Sequence, residues 1–344
     1  MSAPGGRNGF IIGVDVGGTK VAAGLVEPTG TIARHTRVPM VADGSPQDGF
    51  AAVKAAVDAV LELDSALSVR GIGICSPGPL DPHTGVVINP PNLPCWRNFP
   101  LAREMARIYG RPVSLDNDAN AAGLAEALWG AGVGYRNVFY TTIGTGIGTG
   151  VIVDQSVYHG RTGAAGEGGH ISIDYRGPLC GCGKRGCIES LASGPAIARR
   201  AQSKLQETRK PASLLWEMAA GHPDTVTSEM VGRADAAGDA LAHEVLLDTI
   251  VVLSVWLGNI VDLLEPDAII IGGGVAALFR PYFDDIRAQV ADNCVIREPG
   301  RSHCWPPAMA PTRALLAERH SVCAPLPQRF SRSRPLPRSQ YDLL

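Results

Sequence analysis

The residues with the clearest chemical potential lie in one short stretch, residues 167–189. It contains one histidine and three cysteines, namely His170, Cys180, Cys182 and Cys187. Zinc prefers four tetrahedral nitrogen and thiolate ligands, and this set leaves no position open for water. Gly183 and Gly186 give the backbone the freedom to turn and bring Cys187 back towards the other ligands. The stretch therefore predicts a structural zinc site rather than a hydrolytic one.

A disulfide or free core thiols would be the alternative for these cysteines. Only Gly181 separates Cys180 from Cys182, which is too close for an unstrained bridge. Residues 1–9 are small and polar, with no apolar run before a cleavage site, so we expect no signal peptide. Eight cysteines in a chain without secretory features indicate a reducing cytoplasm. Metal binding is thus favoured over disulfide formation.

Two glycine-rich turns have the composition of phosphate-binding loops. Each is predicted to join two strands: Gly17-Gly18-Thr19-Lys20 lies between strands at 10–15 and 21–26, and residues 144–150 lie between strands at 138–143 and 151–154. Neither is a Walker A loop, and neither leads into the helix that a dinucleotide fold requires. From the glycines alone, an ordinary turn is an equally good interpretation. Two such hairpins far apart suggest a duplicated unit.

Asp118 is a candidate catalytic residue because of where it lies. A strand predicted at 112–115 opens on Asp116-Asn117-Asp118, and a helix is predicted at 119–129. One interpretation is a helix N-cap, a position that aspartate favours. The other is a carboxylate that the helix dipole keeps ionised, ready to accept a hydroxyl proton between two domains. The spacing does not separate these interpretations, and both can hold.

Residues 272–274 form a third glycine run. A buried strand predicted at 267–271 leads into Gly272-Gly273-Gly274, and a helix is predicted from Val275 onward. A strand, three glycines and a helix N-terminus can hold the adenosine or phosphates of a nucleotide.

A strand predicted at 71–75 leads into a Pro-Gly loop at 76–79. Further helices are predicted at 48–67, 101–109, 194–206 and 234–264.

Composition limits the classes of function. A length of 344 residues suggests two domains, and 45% hydrophobic residues suffice for their cores. A net charge of −2 argues against a nucleic-acid surface. The most apolar segment, residues 245–264, is interrupted by Asp248 and Asp262, so we expect a buried helix rather than a membrane span.

These motifs, in this order, resemble the ROK family of sugar kinases. The matching segments are Asp15-x-Gly-Gly-Thr-Lys20, Asn117-Asp118-Ala119-Asn120, Ile143-Gly-Thr-Gly-Ile-Gly148, Glu167-x-Gly-His170, Cys180-x-Cys-Gly-x-x-Gly-Cys-x-Glu189 and Ile271-Gly-Gly-Gly274. The resemblance spans residues 11–301 and implies the α/β fold of actin-like ATPases (ribonuclease H-like), with two α/β domains around a cleft. The smaller domain is expected at 1–116 and the larger, with the zinc knuckle, at 117–300.

The resemblance also implies a role for each motif, with ATP, Mg²⁺ and structural Zn²⁺ as cofactors. Asp118 is expected to take the proton from a sugar hydroxyl as it attacks the γ-phosphate of ATP. The sugar is expected to contact Gly78, Asn92, Asn117, Asp118, Glu167, His170 and Glu189. Asp15 is expected to serve Mg²⁺, and ATP to lie against Gly17, Gly18, Thr19, Lys20, Gly144, Thr145, Gly146, Gly148, Gly273 and Gly274. Relatives in this family are usually dimers or tetramers.

Glucose is the expected substrate, because the Pro-Gly loop at 76–79 and the cysteine run resemble bacterial glucokinases. His159-Gly160 and Ala164-Ala165 also resemble N-acetylmannosamine kinases, although those enzymes tend to carry arginine where Pro79 stands. Fructose and allose kinases, and a catalytically dead sugar-binding protein, stay open. A repressor of this family would need an N-terminal helix-turn-helix, whereas the first hairpin here starts at Phe10. Whether ATP is the only phosphoryl donor stays open, because some similar glucokinases accept polyphosphate.

The last segment, residues 301–344, departs from the family. It is rich in proline and arginine, and prolines at this density exclude a closing helix beyond a short piece near 312–319. The segment is either a disordered tail or the product of a shifted reading frame, and the composition favours the second. Loss of the closing helix would expose apolar surface on the smaller domain.

Overall fold

Two five-stranded sheets with the same strand order form the framework of the protein. The computed structural model describes residues 9–62, 68–207, 213–295 and 308–311. In each sheet the first strand is central, the second and third strands lie antiparallel on one side, and two parallel strands lie on the other. The duplicated unit that the two glycine hairpins predicted is therefore confirmed.

The first sheet has the order β3-β2-β1-β4-β7. Its strands are β1 (Phe10–Val16), β2 (Lys20–Val26), β3 (Ile32–Pro39), β4 (Val69–Ser76) and β7 (Val113–Asn117); a separate small hairpin follows β4, with β5 (Leu80–Asp81) and β6 (Val86–Val87). The central strands are almost continuously buried, as expected where both faces of a sheet are covered. We call residues 10–117 the first half.

The second sheet has the order β10-β9-β8-β11-β12. Its strands are β8 (Val138–Ile143), β9 (Ile147–Val153), β10 (Ser156–Val157), β11 (Ala268–Gly272) and β12 (Ala308–Pro311). Residues 138–311 are the second half. Between β10 and β11 the chain inserts the cysteine-rich segment and most of the helices.

The helices cover the sheets and connect them. They are α1 (Pro46–Leu61), α2 (Leu101–Tyr109), α3 (Asp118–Trp129), α4 (Ile188–Ala192), α5 (Gly194–Glu207), α6 (Leu214–Met218), α7 (Ser228–Ala236), α8 (Ala240–Leu264) and α9 (Phe283–Asp292), with 3-10 turns at Gly168–His170, Pro223–Thr225 and Val275–Tyr282. Helix α1 begins at a capping box, in which Ser45 accepts the N–H of Asp48 and Asp48 accepts the N–H of Ser45. Helix α3 leads from β7 in the first sheet to pack on β8 and β9 in the second.

Helix α8 is long and apolar enough to cross a membrane by length and composition. It is instead the centre of the larger core, because 61% of its most apolar window is buried inside the protein. Trp256, which is fully buried, packs edge-on against Phe139 of β8. The prediction of a buried helix over 245–264 is confirmed.

Several predicted boundaries were wrong. The helix expected over 234–264 is two helices, since Gly238 adopts a φ of +85° and Asp239 caps α8 by accepting the N–H of Ala242. The helix expected from Val275 starts as a 3-10 turn that contains Pro281, and α9 begins only at Phe283. The helix expected over 48–67 ends at Leu61, and residues 63–67 lie outside the described residues.

The C-terminal segment also differs from expectation in one place. Residues 308–311, predicted to belong to an atypical tail, form β12 and pair in parallel with β11. Proline lacks a backbone N–H and is therefore tolerated mainly in edge strands. Because β12 lies at the edge of the sheet, a strand that ends in Pro311 is compatible with this position. The rest of the predicted tail lies outside the described residues.

Candidate active site

Two acidic residues of the first sheet, Asp15 and Asp116, lie at the same end of their strands. Asp15 on β1 is paired with Cys75 on β4, and Cys75 with Asp116 on β7. Since neighbouring strands are about 4.8 Å apart, the backbones of Asp15 and Asp116 are separated by about 10 Å. Asp15 therefore lies close to the segment that carries Asp118. Gly78 lies two residues beyond Ser76, whose ladder partner is Asn117.

Asn117 and Asp118 have different roles at the start of α3. The N-cap is Asn117, whose side chain accepts the N–H of Asn120 at 2.6 Å. The prediction that Asp118 itself is the cap was wrong, because the side chain of Asn117 caps the helix, whereas Oδ1 of Asp118 accepts the N–H of the next residue, Ala119, at 2.9 Å. The asparagine is better placed since it precedes the first helical residue. The carboxylate of Asp118 is left available for other chemistry.

The pKa of Asp118 is raised above its ordinary value. Protein atoms around the carboxylate remove water from it, and this desolvation outweighs the backbone N–H groups that favour the charged form. The direction is opposite to the effect expected from the helix dipole. The side chain nevertheless keeps an exposed surface, so it can reach a ligand. A raised pKa makes this carboxylate a stronger base than an ordinary aspartate.

The first glycine turn is a compact loop between β1 and β2. The N–H of Gly17 donates to the carbonyl of Lys20 at 2.9 Å, and the side chains of Thr19 and Lys20 are exposed. A Cβ on Gly18 would lie 2.7 Å from the carbonyl oxygen of Asn92. The structure thus brings Asn92, which is predicted to contact the sugar, against the turn predicted to contact phosphate.

The second glycine turn lies between β8 and β9. The N–H of Gly144 donates to Gly146 at 2.9 Å, and the carbonyl of Gly144 accepts the N–H of Gly194, the first residue of α5, at 2.8 Å. A Cβ on Gly144 would meet no protein atom within 4 Å, so this face of the turn is open to a ligand. The side chain of Thr145 is exposed.

Gly148 has a different position from the other predicted phosphate residues. It belongs to β9, and a Cβ there would lie 3.1 Å from both the Cβ of Ala119 and a methyl group of Thr142. A Cβ on Gly150 would lie 2.9 Å from the carbonyl of Ala119. These two glycines let the start of α3 press against β9, so Asp118, the residue before Ala119, lies near the strand that follows the second glycine turn. Gly148 therefore has a packing role in this structure.

Gly273 and Gly274 follow β11 next to the same turn. Gly272 pairs with Thr142, and Gly273 has a φ of +94° with no room for a Cβ, which would lie 2.3 Å from the carbonyl of Ile143. Only glycine fits there. Gly274 is exposed, and a Cβ on it would meet no protein atom within 4 Å. The prediction that ATP lies against these residues is compatible with that open face.

The segment from Glu167 to His170 is held from two sides. Thr149 of β9 donates its hydroxyl to the carbonyl of Gly166 and accepts the N–H of Gly168 at 2.8 Å. Trp256 donates to the carbonyl of Gly168 at 3.2 Å. The Glu167 side chain is exposed between these anchors. Sequence reasoning missed Thr149 and Trp256; a polar residue within a buried glycine-rich strand is the signal that could have found Thr149.

The four predicted zinc ligands lie together. Their donor atoms are all within 4.8 Å of one another. The Sγ atoms of Cys182 and Cys187 are 3.6 Å apart, and Nδ1 of His170 is 3.6 Å from Sγ of Cys180. Tetrahedral zinc, with bonds of about 2.0–2.3 Å, separates its ligands by about 3.5–3.8 Å. The donor set and its spacing fit a closed zinc site, with Nδ1 as the histidine ligand atom.

Glu189 lies between this metal cluster and the second glycine turn. Its Oε2 accepts the N–H of Ile147 at 2.9 Å. Its Oε1 lies 3.7 Å from Sγ of Cys180 and 3.9 Å from Nδ1 of His170. One carboxylate thus connects the segment that would hold zinc to the turn that would hold phosphate.

Known proteins resemble this chain over most of its length. The model of the ROK family matches residues 11–314. A glucokinase of Thermotoga maritima is 33% identical over 282 residues, covering 82% of this chain and 87% of that protein. An N-acetylmannosamine kinase of Vibrio cholerae is 32% identical over 264 residues, with coverage of 77% and 83%.

A solved structure extends this similarity to three dimensions. The crystal structure of a ROK family glucokinase from Streptomyces griseus, in complex with glucose and AMPPNP, matches with a TM-score of 0.70 at 33% identity. It covers 89% of this chain and 95% of that chain. The family match also extends beyond Arg301, where the sequence analysis had placed its end, and so includes β12. The actin-like ATPase fold is confirmed, and the chain belongs to the ROK family.

Proposed function

We propose that this protein is an ATP-dependent sugar kinase that converts glucose to glucose 6-phosphate. The observation that carries the proposal is the position of Asp118. Asn117 caps the helix in its place, the pKa of Asp118 is raised, and Asp118 directly precedes Ala119, which packs against the strand that follows the second glycine turn. The glucokinase relatives, including one in complex with glucose and an ATP analogue, support the same conclusion.

The reaction asks the protein to position two substrates and to accept one proton. Asp118 takes the proton of the attacking sugar hydroxyl, and its raised pKa suits a general base. The two glycine turns offer backbone N–H groups to the phosphates, which carry most of the charge that must be stabilised. Asp15 would hold Mg²⁺, which would supply positive charge to neutralise the phosphates.

The metal cluster would shape the sugar site. Nδ1 of His170 faces Cys180 and would be the zinc ligand, so the proton of the ring would stay on Nε2 and the ring would be a fixed donor to a sugar hydroxyl. Glu167, Asn117 and Glu189 provide further acceptors and donors around the ring. We expect a cytoplasmic protein that assembles as a homodimer or homotetramer, like relatives of this family.

A coupled assay of ADP release tests the proposal. Purified protein with ATP and Mg²⁺ is given glucose, N-acetylmannosamine, N-acetylglucosamine, fructose and allose, with polyphosphate as a second donor. We expect turnover with glucose, and its product identified as glucose 6-phosphate by NMR. Turnover with N-acetylmannosamine alone would replace glucose by the second candidate, which the Vibrio cholerae relative favours. Absence of turnover with every sugar, in a protein that still binds glucose, would indicate a non-catalytic sugar-binding protein.

A further inference from the structure

Asp116 is a buried carboxylate directly before the Asn117-Asp118 pair. It is 5% exposed, and both of its oxygens have partners. Oδ1 accepts the N–H of Asn117 at 2.8 Å and the side-chain amide of Asn120 at 2.9 Å. These contacts fix the backbone on both sides of Asp118. A buried charge of this kind is tolerated only when it is paired and hydrogen-bonded.

The partner of the other oxygen comes from the second half. His159 follows β10, and its Nε2 donates to Oδ2 of Asp116 at 2.7 Å. Both side chains are largely buried, 15% exposed for His159 and 7% for Asp116. The carbonyl of His159 accepts the N–H of Ala165 at 3.1 Å, so the same short loop leads on to Glu167. The imidazole therefore connects the segment carrying the candidate base to the segment carrying a candidate sugar ligand.

The loop that carries His159 also rests on the small hairpin of the first half. The ring of His83, in the turn between β5 and β6, lies edge-on to His159 with centroids 5.7 Å apart. Pro82 in that turn lies so close to Gly163 that a Cβ there would be 2.4 Å from its Cδ. Gly163 has a φ of +87°, so glycine is needed for both reasons. The loop is thus held against two separate parts of the first half.

We propose that His159 is a positioning residue for the sugar kinase reaction, holding Asp116 from the opposite half and thereby fixing the orientation of Asn117 and Asp118. This inference rests on the proposed function. It assigns no chemistry to His159 itself, since no described contact brings its ring to a substrate position. Its effect on turnover passes through the carboxylate of Asp116, which holds the backbone next to Asp118. Such an effect can be large, because a displacement of a catalytic group by about 1 Å can reduce the rate about a hundredfold.

Two substitutions at His159 test the proposal. His159→Ala removes the donor, whereas His159→Gln places an amide nitrogen close to the position of Nε2. We expect His159→Ala to lower kcat about tenfold or more, with the KM values for glucose and ATP within about threefold of wild type. His159→Gln should recover most of kcat. An unchanged kcat in His159→Ala, or equal losses in both variants with a raised KM, would overturn the proposal.

A second histidine–aspartate pair provides the matched control. His243 lies 3.0 Å from Asp235, on α8 and α7 respectively, and neither residue belongs to the candidate active site. His243→Ala is expected to lower thermal stability without lowering kcat. If it lowered kcat as much as His159→Ala does, the effect at His159 would be a general consequence of losing a histidine–aspartate pair.

Amide hydrogen exchange separates this inference from the proposed function, because it needs no substrate. In the protein without sugar or ATP, His159→Ala should accelerate exchange at residues 117–120 about threefold or more, and His159→Gln and His243→Ala should not. Unchanged exchange in His159→Ala would contradict the positioning role whatever the substrate is. Absence of turnover by the wild type would contradict the proposed function alone.

Discussion

The two halves of the molecule share one strand order and one glycine hairpin, but their hairpins have different neighbours. In the first half, Gly18 lies against the main chain of Asn92. In the second, the Ile147 N–H is held by Glu189, which also lies beside the metal cluster. The difference shows that a duplicated scaffold became asymmetric through what is inserted between its strands. The second half carries the cysteine-rich segment between β10 and β11, and the first half has no counterpart among the described residues.

The ends of the sheets differ in the same way. The fifth strand of the first sheet, β7, leads into α3 and Asp118. The fifth strand of the second sheet is β12, and the chain that follows it lies outside the described residues. The first of these positions places an acid at a helix start, next to the strand that follows the second glycine turn. The candidate base thus lies at the junction of the halves, whereas the cysteine-rich segment belongs to the second half.

The largest expected effect follows from removing that base. Asp118→Asn should lower kcat about 10²–10⁴-fold, the usual contribution of a general base. Asp48→Asn is the matched control, because Asp48 is also an acid in the first turn of a helix, but its carboxylate only caps α1. Steady-state assays of both variants should show a loss for Asp118 alone. Retained turnover in Asp118→Asn would show that Asp118, like Asp48, has no role as a base.

Loss of the metal should affect stability and sugar binding together. Cys182→Ser removes one ligand, and a structural zinc site contributes directly to folding free energy. We also expect glucose to bind about tenfold or more weakly, since His170 loses its fixed tautomer and with it a hydrogen bond of about 1.4 kcal/mol. Calorimetry of unfolding and of glucose binding, with metal content measured by mass spectrometry, checks both effects.

A neighbouring glycine serves as the control for this variant. A Cβ on Gly181 would meet no protein atom within 4 Å, and its φ is not positive, so Gly181→Ala should keep metal, stability and affinity. Wild-type kinetics in a metal-free Cys182→Ser protein would show that the knuckle does not act on the sugar site.

The two glycine turns should respond differently to an added methyl group. In Gly18→Ala the methyl group meets the carbonyl of Asn92, and overpacking of about 1–3 kcal/mol should lower Tm by several degrees. In Gly144→Ala it meets no protein atom, so Tm should not change while the KM for ATP rises. Thermal unfolding and ATP titration of both variants check this contrast. An equal loss of stability would mean that the second turn is as closed as the first.

The smallest expected effect is a pH dependence of stability that has opposite sign at the two helix starts. The pKa of Asp118 is raised by desolvation, so its ionised form destabilises the folded protein at neutral pH. Asp118→Asn should therefore raise Tm at pH 7, and the difference should vanish as pH falls through the ordinary aspartate range near about 3.9. Thermal unfolding between pH 8 and pH 4 measures this trend.

Asp48 should show the reverse. Hydrogen bonds from Ser45 lower its pKa, so its ionised form stabilises the folded protein above the ordinary aspartate pKa, and this contribution is lost as pH falls through the lowered value. Asp48→Asn should lower Tm at pH 7 and differ less from wild type in acid. A change in Tm at pH 7 of the same sign in both variants would contradict the assignment of Asp118 as a desolvated base and of Asp48 as an exposed cap.

Local patterns predicted much of the fold and of the candidate site. The cluster of His170 and three cysteines was predicted because four side chains that can bind a metal lie close in sequence, and both hairpins were predicted because glycines interrupt apolar strands. Helix α2 was predicted with its observed bounds, and it ends at Gly110, whose φ is +60°. Such features depend on residues that are close in sequence, so they can be predicted from the sequence alone.

Features that depend on contacts between distant segments could not be predicted in this way. Thr149 anchors the Glu167 segment, and His159 reaches Asp116 across 43 positions of the chain. The raised pKa of Asp118 arises from surrounding protein that the sequence does not reveal. β12 was missed because proline-rich composition argues against regular structure, whereas an edge of a sheet accepts it.

The most direct test of the account is whether Asp118 serves chemistry rather than binding. Isothermal titration of glucose and of a non-hydrolysable ATP analogue into wild type and Asp118→Asn, alongside turnover of both proteins, answers this. We predict that the dissociation constants of Asp118→Asn for both ligands lie within about threefold of the wild-type values, while turnover is lost. A threefold difference is smaller than the contribution of one hydrogen bond. Loss of glucose binding in parallel with turnover would contradict the account, since Asp118 would then act mainly by binding the sugar and the base would have to be sought elsewhere.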